Sequence, residues 1–222
     1  MNKLSVTRAA AQFGRSIRHG VMLACALAAA QAASGQAAAP TAADTTAAAV
    51  KIAASVCATC HGVSGVNNTT VFPRLAGQQE MYLAAQLRAF KAKTRGEKEA
   101  HDYMWGMATL LEDPVIDALA AYYAQQKPGA GIPGDPALMA QGKKLFDNGD
   151  PSREIQACAA CHGATAQGVA IFPRLAGQHQ AYLMHQIELI QNNLRESSIM
   201  HGVVKDLKPE DIKAITSYLQ SL

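Results

Sequence analysis

The chain has 222 residues, with 20 basic and 17 acidic side chains, a formal charge of +3, 49% hydrophobic residues and 5% aromatic residues. This composition favours folded domains over bulk disorder, and the small charge without a basic and aromatic stripe excludes a typical nucleic-acid binder. No uninterrupted apolar run of about 18 residues follows the first 40 positions, which excludes a polytopic membrane protein.

Residues 1–39 have the pattern of a cleaved Sec-type signal peptide. Four basic residues and no acidic residue accompany a short apolar run at 21–30, and small residues follow through Ala39. The apolar run is short for a membrane span, so cleavage is favoured over an N-terminal anchor. Without this leader the chain keeps 16 basic and 17 acidic residues and four of its five cysteines. We therefore expect an exported protein with a charge near −1.

The remaining sequence contains an internal repeat. Its matching positions, at an offset that falls from 101 to 96, are Cys57–Gly62 with Cys158–Gly163, Phe72–Gln78 with Phe172–Gln178, Met104 with Met200, and Tyr122 with Tyr218. The two copies differ most around 93–99. The repeat predicts two similar domains.

Both copies predict helices, and no alternating run of β-branched residues predicts a sheet. The predicted helices, from apolar spacing and proline at the first turn, cover 45–56, 79–93, a segment capped by Asp113, then 137–146, 178–193 and a segment from Pro209. Between the copies, 127–136 holds three prolines and three glycines and is typical of a linker. We expect an all-α fold with domains at 40–130 and 131–222, each small enough to need a metal or cofactor for stability.

The two Cys-x-x-Cys-His motifs predict two covalently bound haem c groups. In each motif two thiols can bind the haem vinyl groups, and the adjacent histidine can reach the iron. The cysteines are Cys57, Cys60, Cys158 and Cys161, and the iron-binding histidines are His61 and His162. A zinc site and a pair of redox dithiols are the alternatives, but each repeat offers only half a zinc site, and the strands of a thioredoxin-like fold are missing.

The sixth iron ligand decides between electron transfer and catalysis. Among the methionines only Met104 and Met200 recur at matching positions, both followed by x-Gly, so they are the expected ligands. Met107 is the fallback for the first haem. The remaining methionines are interpreted as core residues: Met81, Met139 and Met184. The histidines without a matching histidine are expected on the surface or in loops: His101, His179, His185 and His201.

A second layer of contacts is also predicted. Pro73 and Pro173 follow the histidines by 12 and 11 residues, and their carbonyl groups are candidates to accept the second ring N–H of each histidine. Other repeated polar residues suit either haem propionates or a domain interface, and the sequence leaves both open: Arg74, Arg174, Gln78, Gln178, Tyr82 and Tyr182.

These motifs, in the same order twice, resemble the cytochrome c4 family of dihaem class I cytochromes c. The resemblance covers about 49–222 and implies two class I cytochrome c domains related by a pseudo-twofold axis, each with a His/Met haem. It implies that Pro73 and Pro173 supply the carbonyl groups to the proximal histidines. It also implies a periplasmic location, with membrane association in some members, and electron flow toward a terminal oxidase.

We therefore expect a dihaem electron carrier, not an enzyme, without a nucleic-acid partner. Expected partners are a terminal oxidase, a quinol-oxidising complex or a dehydrogenase, and peripheral membrane association is compatible with the resemblance. The alternatives are the dihaem electron-accepting subunit of a dehydrogenase and a dihaem peroxidase. A peroxidase needs an open or displaceable sixth position on one haem, which the recurrence of Met104 and Met200 argues against.

Overall fold

The computed structural model describes residues 39–222, so the predicted signal peptide lies outside the described residues apart from Ala39. Within 39–222 the chain is helical, and its only β-type pairings are two isolated bridges, Asp150 with Ile155 and Val169 with Phe172. The predicted all-α fold class is therefore confirmed. None of the helices in this part of the chain is both long and apolar enough to cross a membrane.

The first copy contains five α-helices. They are α1 (Ala42–Ile52), α2 (Ala58–His61), α3 (Glu80–Lys91), α4 (Trp105–Thr109) and α5 (Asp113–Ala124). A π-helical segment, Ala53–Cys57, joins α1 to α2 without a break, and a second one, Ala100–Met104, leads into α4. The backbone thus carries the first cysteine motif directly at the end of the first long helix.

The second copy repeats this order. Its helices are α6 (Pro136–Asn148), α7 (Ala159–His162), α8 (Gln180–Gln191), α9 (Ser198–Val204) and α10 (Pro209–Ser221). A short 3₁₀ turn, Pro151–Arg153, separates α6 from the second motif. The predicted helices are all present, with ends displaced by a few residues. The prediction of Asp113 as a cap was wrong, because Glu112 has the extended N-cap backbone and Asp113 begins the helix.

Each copy has its own apolar core. In the first copy the buried residues come from α1, α3 and α5 and include Leu83, Ile116 and Leu119, with a small satellite around Phe90. In the second copy the cluster includes Phe146 and Leu219. The last helix of each copy packs on its first helix, α5 on α1 and α10 on α6.

The crossing of α6 and α10 depends on a glycine. A Cβ atom placed on Gly142 would lie 2.0 Å from the backbone oxygen of Ala214, far inside van der Waals contact. Only a residue without a side chain lets the two backbones approach this closely.

The two copies are joined by reciprocal hydrogen bonds between their identical Phe-Pro-Arg-Leu-Ala-Gly-Gln segments. The Gln178 amide accepts from Arg74 N (2.9 Å) and donates to Arg74 O (3.0 Å). The Gln78 amide does the same with Arg174, at 2.6 Å and 2.9 Å. The sequence left open whether Gln78 and Gln178 contact haem propionates or a domain interface. Both glutamines lie in the interface between the copies.

Candidate functional site

Each cysteine motif ends in a short helix that is stopped at a glycine. Gly62 and Gly163 follow the histidines with φ of +83° and +82°, a conformation that a side chain would strain. The chain turns there, and His61 and His162 are left almost fully buried, with 7% and 4% of their surface exposed.

Both histidine rings are held by a proline carbonyl group. His61 Nδ1 lies 2.8 Å from Pro73 O, and His162 Nδ1 lies 2.9 Å from Pro173 O. A carbonyl group can only accept, so Nδ1 carries the proton and Nε2 is free to bind a metal. Burial lowers the pKa of both histidines, which keeps the imidazole in the neutral form that ligates iron.

The first cysteine of each motif lacks the property of a redox thiol. No disulfide joins the four cysteines within 39–222, and burial raises the pKa of Cys57 and raises that of Cys158 to about 11. A reactive redox thiol has a lowered pKa, so these two depart from that pattern. Among residues 39–222 no three histidine, cysteine or acidic side chains are grouped to hold a bare metal ion.

A cavity of about 750 Å³ fits the predicted cofactor. Its lining includes the residues of both motifs and both candidate methionines: Cys57, Cys60, His61, Met104, Cys158, Cys161, His162 and Met200. His162 Nε2 is buried there without a partner, as a metal-binding nitrogen would be. Met104 and Met200 are partly buried against the apolar clusters, whereas Met107 is 55% exposed. The residues therefore fit two covalently bound haem groups.

A buried polar cluster lies against the same cavity, between the two copies. We call the side chains of Tyr82, Gln86, Arg95, Glu97, Gln186 and Arg195 the interdomain polar cluster. Arg195 donates to Tyr82 Oη (2.9 Å), Gln86 (3.2 Å) and Gln186 (2.5 Å). Arg95 donates to Gln86 (2.8 Å), Gln186 (3.1 Å) and its ion-pair partner Glu97. The cluster thus joins residues of both copies through the two arginines.

The segment that differs most between the copies, 93–99, supplies two of the six residues of this cluster. Its side chains Arg95 and Glu97 are buried, and Trp105 Nε1 holds the segment by donating to Arg95 O (2.8 Å). Glu97, only 3% exposed, has no acidic counterpart, because Ser197 stands at its position in the second copy. Sequence reasoning missed these residues, although Arg95 and Arg195 also recur at an offset of 100.

The unmatched histidines differ in burial. His101 and His185 are exposed or partly exposed, and His201 donates its Nδ1–H to Ile190 O (2.9 Å) from a partly buried position. His179 lies in the loop before α8 as expected, but its ring is buried, with 1% exposure. The loop position agrees with the expectation, and the ring is buried there because it contacts Asn67 of the first copy (2.7 Å).

Comparison with known proteins agrees with this geometry. The family model for cytochrome c matches twice, at residues 46–127 and 139–222. Cytochrome c4 from Stutzerimonas stutzeri is 41% identical over 179 residues, covering 76% of this chain and 85% of that protein. The thiosulfate dehydrogenase electron acceptor of Thiomonas intermedia (strain K12) is 37% identical over 177 residues, covering 75% and 78%.

A solved structure extends the likeness to the fold. The crystal structure of reduced recombinant cytochrome c4 from Pseudomonas stutzeri is similar with a TM-score of 0.71 and 38% identity. The likeness covers 81% of this chain and 98% of that one.

Proposed function

Because this chain belongs to the cytochrome c family, with two cytochrome c domains in tandem, we propose that it is a periplasmic electron carrier with two His/Met-ligated haem c groups. Each haem supplies a one-electron Fe(III)/Fe(II) couple. The single observation that carries the proposal is the duplicated site, in which a buried histidine has Nδ1 fixed by a proline carbonyl group and Nε2 free.

Three sets of residues have separate roles: attaching the haem, binding its iron, and orienting the iron-binding imidazole. We assign covalent attachment to Cys57, Cys60, Cys158 and Cys161, and the axial positions to His61 with Met104 and His162 with Met200. Pro73 and Pro173 fix the tautomer and the plane of each imidazole. With both axial positions filled, peroxide has no site to coordinate, which separates a carrier from a dihaem peroxidase.

We place the domain boundary in the linker 127–136, giving domains at 40–130 and 131–222, and we assign 1–39 to a cleaved leader that directs the chain to the periplasm. The two matched ranges, 46–127 and 139–222, leave most of the linker unmatched, which supports this division.

A redox titration followed by absorbance tests the ligand assignment. Met104→Ala and Met200→Ala should each convert one of two low-spin haems to a form without the methionine-to-iron band, because methionine ligation raises the potential and fills the sixth position. Met107→Ala is the matched control and should leave the spectrum unchanged. An unchanged low-spin spectrum in Met104→Ala or Met200→Ala would contradict the assignment, as would rapid peroxide turnover by the wild type.

We propose a terminal oxidase as the acceptor, by family resemblance. A second candidate function follows from the Thiomonas relative, which is named as the electron acceptor of a thiosulfate dehydrogenase. Stopped-flow mixing of the oxidised protein with a thiosulfate dehydrogenase and thiosulfate, and of the reduced protein with oxidase-containing membranes, separates the two. Fast reduction in the first experiment with slow oxidation in the second would favour the dehydrogenase partner.

A further inference from the structure

The two proximal histidines differ in the hydrogen bonds made to the proline carbonyl group that holds each ring. Asn67 donates its amide Nδ2 to three carbonyl groups of the first copy, at Cys60 (3.2 Å), Phe72 (3.0 Å) and Pro73 (3.3 Å). The Pro73 oxygen is the same atom that accepts from His61 Nδ1. Two donors thus share the acceptor that holds the first proximal ligand.

The second copy has no such donor. Leu75 and Ala76 donate to Gly65 O, and Leu175 and Ala176 donate to Ala166 O, so Gly65 and Ala166 are equivalent. Two residues further on, the position of Asn67 is taken by Gly168, which has no side chain. His162 therefore has the Pro173 carbonyl group without a competing side-chain amide at this position.

The Asn67 amide is also bound from the other domain, through its oxygen. Its nitrogen must face the three carbonyl groups, since they can only accept, and this leaves Oδ1 to face His179 Nε2 at 2.7 Å. Nε2 is therefore the donor. Burial and the nearby Arg74 guanidinium lower the pKa of His179, so the ring stays neutral and carries a single N–H.

This contact is also unmatched in the repeat. Gln79 stands where the second copy has His179, and its side chain donates to the backbone oxygen of Gln167 (2.9 Å) at an exposed position. Three hydrogen bonds thus connect the second domain to His61: His179 to Asn67, Asn67 to Pro73 O, and His61 to the same Pro73 O. The equivalent residues do not connect the first domain to His162 in this way.

We propose that His179 and Asn67 are positioning residues that set the reduction potential of the first haem from the second domain. The inference rests on the proposed dihaem function. A strong hydrogen bond from a ligating imidazole makes the ligand more basic and favours oxidised iron. Asn67 Nδ2 donates a second hydrogen bond to Pro73 O, so it weakens the bond from His61 Nδ1 to that oxygen. The weaker bond raises the reduction potential of the first haem relative to the second.

Redox titration of the intact dihaem protein tests this inference, with the haem methyl NMR signals of the oxidised form assigning each potential to its domain. Asn67→Ala should shift the first haem toward the oxidised form by about two- to tenfold, the range of one neutral hydrogen bond. The second haem should not move. His179→Ala should act in the same direction, and His179→Gln, which keeps an N–H donor, should shift it less.

Gln79→Ala is the matched control at the equivalent position of the first copy and should move neither potential. A first-haem potential that is unchanged in both Asn67→Ala and His179→Ala overturns the inference, as does an equal shift of both haems. If the wild type lacks two reversible low-spin haems, the proposed function fails as well, whereas two normal haems without the shift overturn only the inference.

Discussion

At the scale of single residues, the two covalent haem groups could be predicted from the sequence, because the spacing of the cysteines and the adjacent histidine specify that attachment locally. The choice of Met104 over Met107 rests on the register of the repeat and stays a prediction. Asn67 and His179 could not be found this way, because each interrupts the repeat and they meet across 112 positions. A contact between unlike residues of two domains leaves no periodic pattern.

Asp211 supplies a residue-scale prediction. Its carboxylate is almost fully buried and forms a bidentate pair with Arg153, at 2.8 Å and 3.0 Å, which lowers its pKa. A carboxyl group with a lowered pKa in the folded state stabilises the protein above its unfolded pKa of about 3.9, and this contribution is lost as the pH falls through the folded value.

Asp211→Asn should therefore lower the free energy of unfolding at pH 7 by about 1–3 kcal/mol, the value of hydrogen bonds to a charged group. Below about pH 4 the difference from the wild type should shrink, because the unfolded state then binds a proton that the folded Asp211 does not, and the difference should be smallest below the lowered pKa of the folded state. Urea unfolding across this pH range measures it. The exposed Asp206→Asn is the control, and a difference that stays constant with pH would refute the role of the ion pair.

At the scale of elements, apolar spacing at 79–93 and 178–193, composition at 45–56 and 137–146, and proline at the first turn of the last helices together predicted every long helix, but not its ends. The first helix continues through a π-helical turn to Cys57, which spacing alone does not indicate. The segment 93–99 read as an insertion in a loop, yet it carries Arg95 and Glu97 into the interior. Tertiary contacts decide the path of such a segment, since Arg95 and Glu97 can be buried only where each finds its partner, and local propensity does not indicate that pairing.

The crossing of α6 and α10 gives an element-scale prediction. Gly142→Ala should lower the stability of the second domain by about 1–3 kcal/mol, the cost of overpacking, because the new methyl group would strike Ala214 O. Thermal unfolding followed by circular dichroism measures the loss.

Gly202→Ala, in α9, is the matched helical control. No atom lies within 4 Å of its added Cβ, so alanine there should leave stability unchanged or raise it by about 0.5–1 kcal/mol. Equal effects of the two substitutions would show that close packing at Gly142 is not the cause.

At the scale of the whole molecule, the repeat predicted two domains but not how firmly they are joined. Gln78 and Gln178 each satisfy a backbone N–H and a backbone carbonyl group of the other copy. Removing either side chain leaves two polar groups without their partners at the interface, at a cost of about 1–3 kcal/mol for a buried group.

Gln78→Ala combined with Gln178→Ala should therefore weaken the coupling between the domains, and calorimetry should show a broader or divided unfolding transition in place of a single one. The exposed Gln125→Ala serves as the control. A single transition of unchanged width would contradict the importance of these hydrogen bonds.

Two seven-residue segments have a double role, Phe72–Gln78 and Phe172–Gln178. In each, the proline accepts a hydrogen bond from the proximal histidine of its own domain, and the final glutamine binds the backbone of the opposite copy. A substitution in either segment therefore affects the hydrogen bonds that join the two copies. The identical sequence of the two segments therefore meets the same pair of demands in both copies, whereas 93–99, Asn67 and His179 meet a demand in only one.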